Sequence, residues 1–230
     1  MQSIAIITAR GGSKRIPGKN IKEFCGKPII AYSIEAAISS GIFDEVMVST
    51  DSKVIANIAR QYGAAVPFFR SESTSNDFAT TTDVVEEVLD MYRDRGKVFD
   101  FFACIYPTAP FVTSQKLTEA VKLLSGTHAD AVVPVVKYSF PPQRAFVIRD
   151  GVVAFQYPEF ERTRSQDLES IYHDCGQFYI VKTDVFMKEH TLISKNTIPY
   201  LMPEREVQDI DTIFDWEIAE TKYKVLYKGE

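Results

Sequence analysis

Short apolar runs alternate with amphipathic stretches along most of the chain. Residues 4–9 open on Ile4-Ala5-Ile6-Ile7 and predict a buried strand, and Ile29–Ser40 carries apolar residues at helical spacing until Gly41 ends it. Glu45–Ser49 predicts a second strand, residues 53–62 a helix begun by Asp51 and stopped by Gly63, and residues 66–69 a short strand. Thr80 and Asp83 have the spacing of a capping box for a helix running to about Arg95, with Gly96 behind it. Residues 101–106 are almost continuously apolar, as in a strand covered on both faces. A helix over 113–124 and a strand over 131–136 follow. Repeated strand–helix units predict an α/β fold, a mostly parallel sheet with helices on both faces. Ligands of such folds bind beyond the carboxyl ends of the strands.

Between about residues 137 and 171 the rhythm changes. Val147 to Val153 reads as two short strands around Asp150-Gly151, a hairpin signal. Its flanks, Phe140-Pro141-Pro142-Gln143 and residues 157–168, lack helical periodicity. We read 137–171 as an insertion within one domain spanning 1–230. Regular patterns resume at 176–182 and Thr197–Leu201, and a closing helix runs from Thr212 to about Leu226. With 45% hydrophobic residues in 230, the chain is long enough to bury a sizeable core.

The chemistry starts where the first strand ends. Thr8 to Asn20 reads Thr-Ala-Arg-Gly-Gly-Ser-Lys-Arg-Ile-Pro-Gly-Lys-Asn. Glycines leaving a buried strand let backbone N–H groups wrap an anion, and here they are interleaved with Arg10, Lys14, Arg15 and Lys19. The segment predicts a polyphosphate cradle in which Gly11, Gly12 and Ser13 take part. It is neither a GxxxxGK[ST] loop nor a GxGxxG turn, which demotes ATPase and dehydrogenase readings. Charge sharpens the point. The net charge is −5, yet Arg10 to Lys27 holds six basic residues against Glu23 alone. The acidic balance argues against a nucleic-acid partner, and the local surplus suits a small, highly charged ligand. Three cysteines without a CxxC pair suit a reducing compartment and neither a disulfide framework nor a zinc site. With no basic-then-apolar leader and no apolar run near about 18 residues, the expectation is a cytoplasmic protein without a membrane partner.

Four further features stand out. If residues 207–211 are extended, Asp209 and Asp211 point one way and Ile210 the other. Two carboxylates beside a phosphate site are a means of holding Mg²⁺; the alternative is that this segment only caps a helix through Thr212 and Asp215. Arg70, past a strand on the ligand side, either reaches a base or phosphate or is a solvated loop arginine. Tyr106, before Pro107-Thr108-Ala109-Pro110, either faces the cleft or is a core tyrosine. His173 either orients a substrate hydroxyl or is an ordinary satisfied histidine, while His128 and His190 read as surface residues and Cys104 as core.

Together, Ala9 to Pro17, Arg70 with Ala79-Thr80-Thr81, Pro107-Thr108-Ala109-Pro110 and Asp209-Ile210-Asp211 resemble, in order and over nearly the whole chain, the cytidylyltransferases that activate sialic-acid-like sugars. The resemblance implies a Rossmann-like nucleotidyltransferase fold, CTP as donor, magnesium, and a homodimer built by an arm coinciding with 137–171. It further implies that Arg10, Ser13 and Lys19 hold the triphosphate, that Asn20, Arg70, Ala79 and Thr81 contact cytidine, and that Asp209 and Asp211 bind the metal. Arg10, Lys19 and Asp211 would then be catalytic, with the general base open between Asp211 and a metal-bound hydroxide. Arg164 would reach a sugar carboxylate, with the partner subunit's site as one place for it. Arg15, Tyr106 and the stretch His173-Asp174-Cys175-Gly176-Gln177-Phe178-Tyr179 depart from the sialic acid enzymes. They resemble the branch acting on pseudaminic acid in flagellar glycosylation, and they imply an acceptor pocket of Tyr106, His173, Gln177 and Tyr179 for a nonulosonic acid.

Overall fold

The computed structural model describes residues 1–228. In chain order its strands are β1 (Ser3–Thr8), β2 (Glu23–Phe24), β3 (Lys27–Pro28), β4 (Glu45–Ser49), β5 (Phe101–Ile105), β6 (Ala131–Lys137), β7 (Phe146–Arg149), β8 (Val152–Phe155), β9 (Tyr172–Asp174), β10 (Phe178–Lys182) and β11 (Thr197–Leu201). Its helices are α1 (Ile29–Ser40), α2 (Lys53–Gln61), α3 (Glu72–Ser75), α4 (Thr81–Arg93), α5 (Ser114–Gly126), α6 (Thr183–Glu189) and α7 (Ile213–Tyr223).

The main sheet has the order β11-β6-β10-β5-β1-β4, with β9 also paired to β6. β4, β1 and β5 run parallel, as do β6 and β11. β10 runs against its neighbours β5 and β6 and so delivers its first residue, Phe178, opposite Ile105 at the carboxyl end of β5. Period-2 alternation sorts β1 and β5 into two cores. Ala5, Ile7, Ala103 and Ile105 pack with α1, α2 and α5, whereas Ile4, Ile6, Phe102 and Cys104 pack with α4 and α6. Helices therefore cover both faces, as expected. Burial pushes the Cys104 thiol up to about 12, which fits an inert core residue.

Local signals in the sequence explain most boundaries. Thr80 accepts the Asp83 N–H while the Asp83 carboxylate accepts the Thr80 N–H, starting α4. Gly41 closes α1 at a φ of 64°. Residues 66–69 form no strand. Ala65 alone bridges Met47, and Pro67 supplies no N–H to carry a ladder on. Pro134 sits inside β6 where its pairing passes from β10 to β9, a break that removes the need for an N–H there.

β7 and β8 form a separate two-stranded sheet turned by Asp150 and Gly151, both at positive φ. Around it Phe140, Phe146, Ile148, Val152 and Val153 are exposed. No helix among the described residues is long and apolar enough to cross a membrane.

Candidate active site

β1 ends at Thr8, and Ala9 extends its pairing by donating its N–H to the Ser49 carbonyl at 2.9 Å. The chain then turns over the rim of the sheet. Gly11 passes so close to α2 that a Cβ would lie 3.1 Å from the Ser52 Cβ. Gly18, at a φ of 63°, takes the left-handed conformation that costs glycine little and folds Lys19 back to donate its N–H to the Ile16 carbonyl at 3.1 Å. Buried Asn20 donates its Nδ2 to the Arg10 carbonyl at 2.9 Å and ties the two ends of the turn together. One expectation is corrected here. The Gly11 N–H is donated to the Asp51 carboxylate at 2.7 Å and that of Ser13 to the Gly11 carbonyl at 3.1 Å. The turn therefore presents its cationic side chains to the cleft, while the N–H groups of Gly11 and Ser13 are engaged within the protein.

Those side chains line a cavity of about 320 Å³. Arg10, Ser13, Lys14, Arg15, Lys19 and Asn20 come from the turn, Arg70, Ala79 and Thr81 from beyond β4, and Tyr106 from the end of β5. Gly11 and Gly12 lie outside this lining. Arg70 is no solvated arginine. It is buried, donating its Nη2 to the Ser49 carbonyl at 2.9 Å and its Nε to the Ser49 hydroxyl at 3.1 Å. Desolvation lowers its pKa to about 10, which leaves it a fixed cation at neutral pH. At the mouth, the Asp77 carboxylate accepts from Lys14 and, at 2.8 Å, from the Arg10 Nη1; these bonds hold it below the usual carboxylate range.

The acidic segment meets the basic turn at Arg15 and Lys19. Beyond β11 the chain turns at 204–206 and reaches Ile210, which is buried in one apolar cluster with Ile16, Phe24 and Trp216. That cluster fastens the basic turn to the acidic segment. The Asp211 carboxylate lies 2.6 Å from the Arg15 Nη2 and 3.7 Å from the Lys19 Nζ, and Lys19 donates to the Ile210 carbonyl at 2.6 Å. Thr212 caps α7 through its capping box with Asp215, whose carboxylate also accepts the Asp211 N–H at 3.2 Å. Capping therefore orders the Asp211 backbone without occupying its carboxylate. Asp209 is exposed in a second cavity, so the two carboxylates flank the cleft unequally. Among the described residues no group of three or more His, Cys, Asp or Glu is placed to hold a metal. Magnesium takes one or two protein carboxylates and completes its shell with phosphate oxygens and water, so Asp211, with or without Asp209, would be the side chain to hold it beside the basic cleft.

The second cavity, about 610 Å³, is lined by Lys137, His173, Asp174, Tyr179, Asp209 and Lys222 among others, and it shares Tyr106 with the first. The Tyr106 hydroxyl is 3.3 Å from the Thr81 Oγ1, and its ring meets Tyr179 edge-on at 5.9 Å. Burial raises the pKa of both phenols and keeps them neutral. His173 packs against Tyr138, ring centroids 4.6 Å apart. Gln177 is withdrawn from the cavity it was expected to line. It is 2% exposed and donates its Nε2 to the Glu206 carbonyl at 2.8 Å, so it supports the acidic segment from below. Arg164 sits on the inserted arm, paired with Asp167 at 2.7 Å, and lines neither cavity of its own chain.

Residues 4–227 match the sequence profile of the cytidylyltransferases. The chain belongs to that family. A pseudaminic acid cytidylyltransferase of Campylobacter jejuni is 38% identical over 230 residues, covering all of this chain and 99% of that one. A CMP-N,N'-diacetyllegionaminic acid synthase of Legionella pneumophila is 37% identical, covering 96% of this chain and 95% of that one. Among solved structures, a CMP:2-keto-3-deoxy-manno-octonic acid synthetase in complex with CTP superposes with a TM-score of 0.69 at 17% identity, covering 96% of this chain and 98% of that one. That likeness speaks to the fold: a Rossmann-like cytidylyltransferase architecture.

Arg10, Ser13, Lys19 and Asn20 of the basic turn and Arg70, Ala79 and Thr81, to which the resemblance gave nucleotide contacts, line one cavity. Sequence reading gave no role to Asp77, Asp174, Lys137 or Lys222. Asp77 lies within the motif that drew attention to Arg70, but its partners Arg10 and Lys14 are more than sixty positions away. A triphosphate entering this cavity would compete with Asp77 for these two cations. Asp77→Asn is accordingly expected to tighten CTP binding up to about fivefold, the upper range for an exposed ion pair, with less gain at high salt. Titration of both proteins at two salt concentrations checks this, and unchanged or weaker binding would sink it.

Proposed function

We propose that this cytidylyltransferase transfers CMP from CTP to the anomeric hydroxyl of a nine-carbon 2-keto sugar acid, namely pseudaminic acid, releasing pyrophosphate. The observation carrying this reading is the junction of two cavities at Tyr106, one basic and fit for a triphosphate, the other holding mixed polar groups fit for a sugar acid. The acceptor is argued from the full-length 38% identity to the pseudaminic acid enzyme of Campylobacter jejuni. The acceptor hydroxyl attacks the α-phosphorus in line and gives up its proton to water, and the bond from that phosphorus to the oxygen bridging to the β-phosphate breaks as pyrophosphate leaves. Such transfer depends on alignment and charge neutralisation. Arg10, Lys19 and Ser13 grip the triphosphate, Arg70, Ala79, Thr81 and Asn20 frame the cytidine, and Tyr106 aligns the two substrates. Magnesium held by Asp209 and Asp211 would supply further charge neutralisation on the phosphates.

A homodimer belongs to the same reading. An isolated hairpin is marginal in water, and the exposed apolar side chains around β7 and β8 suit burial against a second copy. In that arrangement Arg164 serves the neighbouring acceptor cavity. With CTP as donor, we read the reaction as cytoplasmic.

The decisive assay measures pyrophosphate release for CTP, UTP and ATP crossed with pseudaminic, legionaminic, sialic and octulosonic acids, with and without magnesium. The expected result is fastest release from CTP with pseudaminic acid, lost on chelation, by a species sedimenting at twice the monomer mass. Preference for octulosonic acid would move the chain to another acceptor branch. CTP binding without release for any acid would mark a nucleotide-sugar sensor.

A further inference from the structure

Asp174 stands in the acceptor cavity with no part in the reaction described so far. Its carboxylate is anchored from the protein side: Oδ1 accepts the Gly176 N–H at 2.7 Å, and Oδ2 accepts the hydroxyl of Tyr179. Gly176 holds a φ of 59°, a left-handed turn that aims its N–H back at Asp174. Tyr179 is 6% exposed and packs against Tyr106, whose hydroxyl meets Thr81 in the nucleotide cavity. Aligned polar groups therefore run from the nucleotide cavity to one exposed carboxylate in the acceptor cavity.

An ionised carboxylate offers about four lone-pair positions and no donor. Protein donors take two of Asp174's, and the rest are open to whatever fills the cavity. A group that only accepts selects for donors. It repels the carboxylate of a sugar acid and favours its N–H and O–H groups, while Lys137 and Lys222 of the same cavity suit the acid end. We propose that Asp174 is a specificity-determining residue of the acceptor site, accepting a hydrogen bond from an N–H or O–H donor on the sugar and so setting its orientation against the nucleotide. Tyr179 and Gly176 act as positioning residues for that carboxylate. The inference rests on the reaction proposed above.

Asp174→Asn preserves shape and replaces one acceptor oxygen by a donor. Initial rates of pyrophosphate release are measured with the acceptor varied at saturating CTP, and with CTP varied at saturating acceptor. Pseudaminic acid and 2-keto-3-deoxy-manno-octonic acid, which lacks amide groups, serve as acceptors. The acceptor KM is expected to rise roughly ten- to hundredfold, the range for a hydrogen bond to a charged group, with the CTP KM unchanged within twofold. A rise confined to pseudaminic acid assigns the contact to an amide N–H; an equal rise on both acids assigns it to a hydroxyl. An acceptor KM within twofold of wild type overturns the proposal. Tyr179→Phe keeps the carboxylate and removes one of its two anchors, so it is expected to raise the acceptor KM by a smaller factor and to leave the CTP KM unchanged.

Deletion on the substrate side makes the test independent of how well the variant folds. Removing the sugar's donors one at a time must raise the wild-type KM at one position, and no such position overturns the assignment. Wild-type protein silent with every acid overturns the reaction and the proposal together. Wild-type turnover with an indifferent Asp174→Asn overturns the proposal alone.

Discussion

Replacing Asp211 by Ala is expected to lower the rate of pyrophosphate release by about 10²–10³-fold, with little change in the unfolding midpoint. The magnitude follows from losing one preorganised charge-stabilising group, about 2.7–4 kcal/mol of transition-state stabilisation. Asp211 is well placed for so large an effect. Its carboxylate lies between Arg15 and Lys19 at the edge of the basic cavity, and its backbone is fixed by the capping box of α7. Lys19→Ala should cost a similar factor, since its Nζ sits between the Ile210 carbonyl and Asp211 and Lys19 lines the basic cavity. The two losses should fall short of additive in the double variant, because the groups share one hydrogen-bonded unit. Near-normal turnover by Asp211→Ala would remove it from the machinery.

The largest stability effect is expected at Lys116, which lines neither cavity. This lysine is 8% exposed, and its Nζ lies 2.6 Å from both the Glu206 carboxylate and the Phe111 carbonyl. Removing one partner of a buried ion pair leaves the other charge desolvated and unpaired, at a cost of about 3–5 kcal/mol. For a chain of this size that corresponds to a fall in Tm of roughly 10 °C. Lys116→Met should show this loss, and Lys116→Met with Glu206→Leu should recover most of it, since two apolar groups leave no orphaned charge. A single-variant loss under about 1 kcal/mol, or no recovery in the pair, would contradict the account. Glu206 opens the segment that carries Asp209 and Asp211, and Gln177 holds its carbonyl. The single variant should therefore lose activity at temperatures where it is still folded.

The sequence carried much of this protein where the governing interactions are local. The capping boxes at Thr80–Asp83 and Thr212–Asp215, the Gly41 stop and the Asp150-Gly151 hairpin all rest on contacts within a few residues, and all appear in the structure. The basic turn was legible for the same reason. The direction of β10 was not, because an apolar run such as 178–182 reads alike in either orientation, and only its pairing with β5 and β6 settles it. Residues 66–69 were misread because apolar side chains outweighed the missing N–H of Pro67. Gln177 resembled a pocket residue until Glu206, far away in sequence, claimed its amide. Asp77 could not be read as a site residue because Arg10 and Lys14 lie more than sixty positions away. Asp174, inside a stretch the sequence did single out, could not be ranked above its neighbours before the cavity was seen.

The reversed strand β10 divides labour across the rim. The basic turn and Tyr106 follow strands that end there, β1 and β5, whereas Asp174 and Tyr179 come from the passage out of β9 into a strand that begins there. On the function proposed above, recognition of the donor and choice of the acceptor fall to separate stretches of chain. A lineage built on this plan can retool residues 172–177 for a new sugar while inheriting its nucleotide grip intact, and a designer can graft that short stretch in the same spirit.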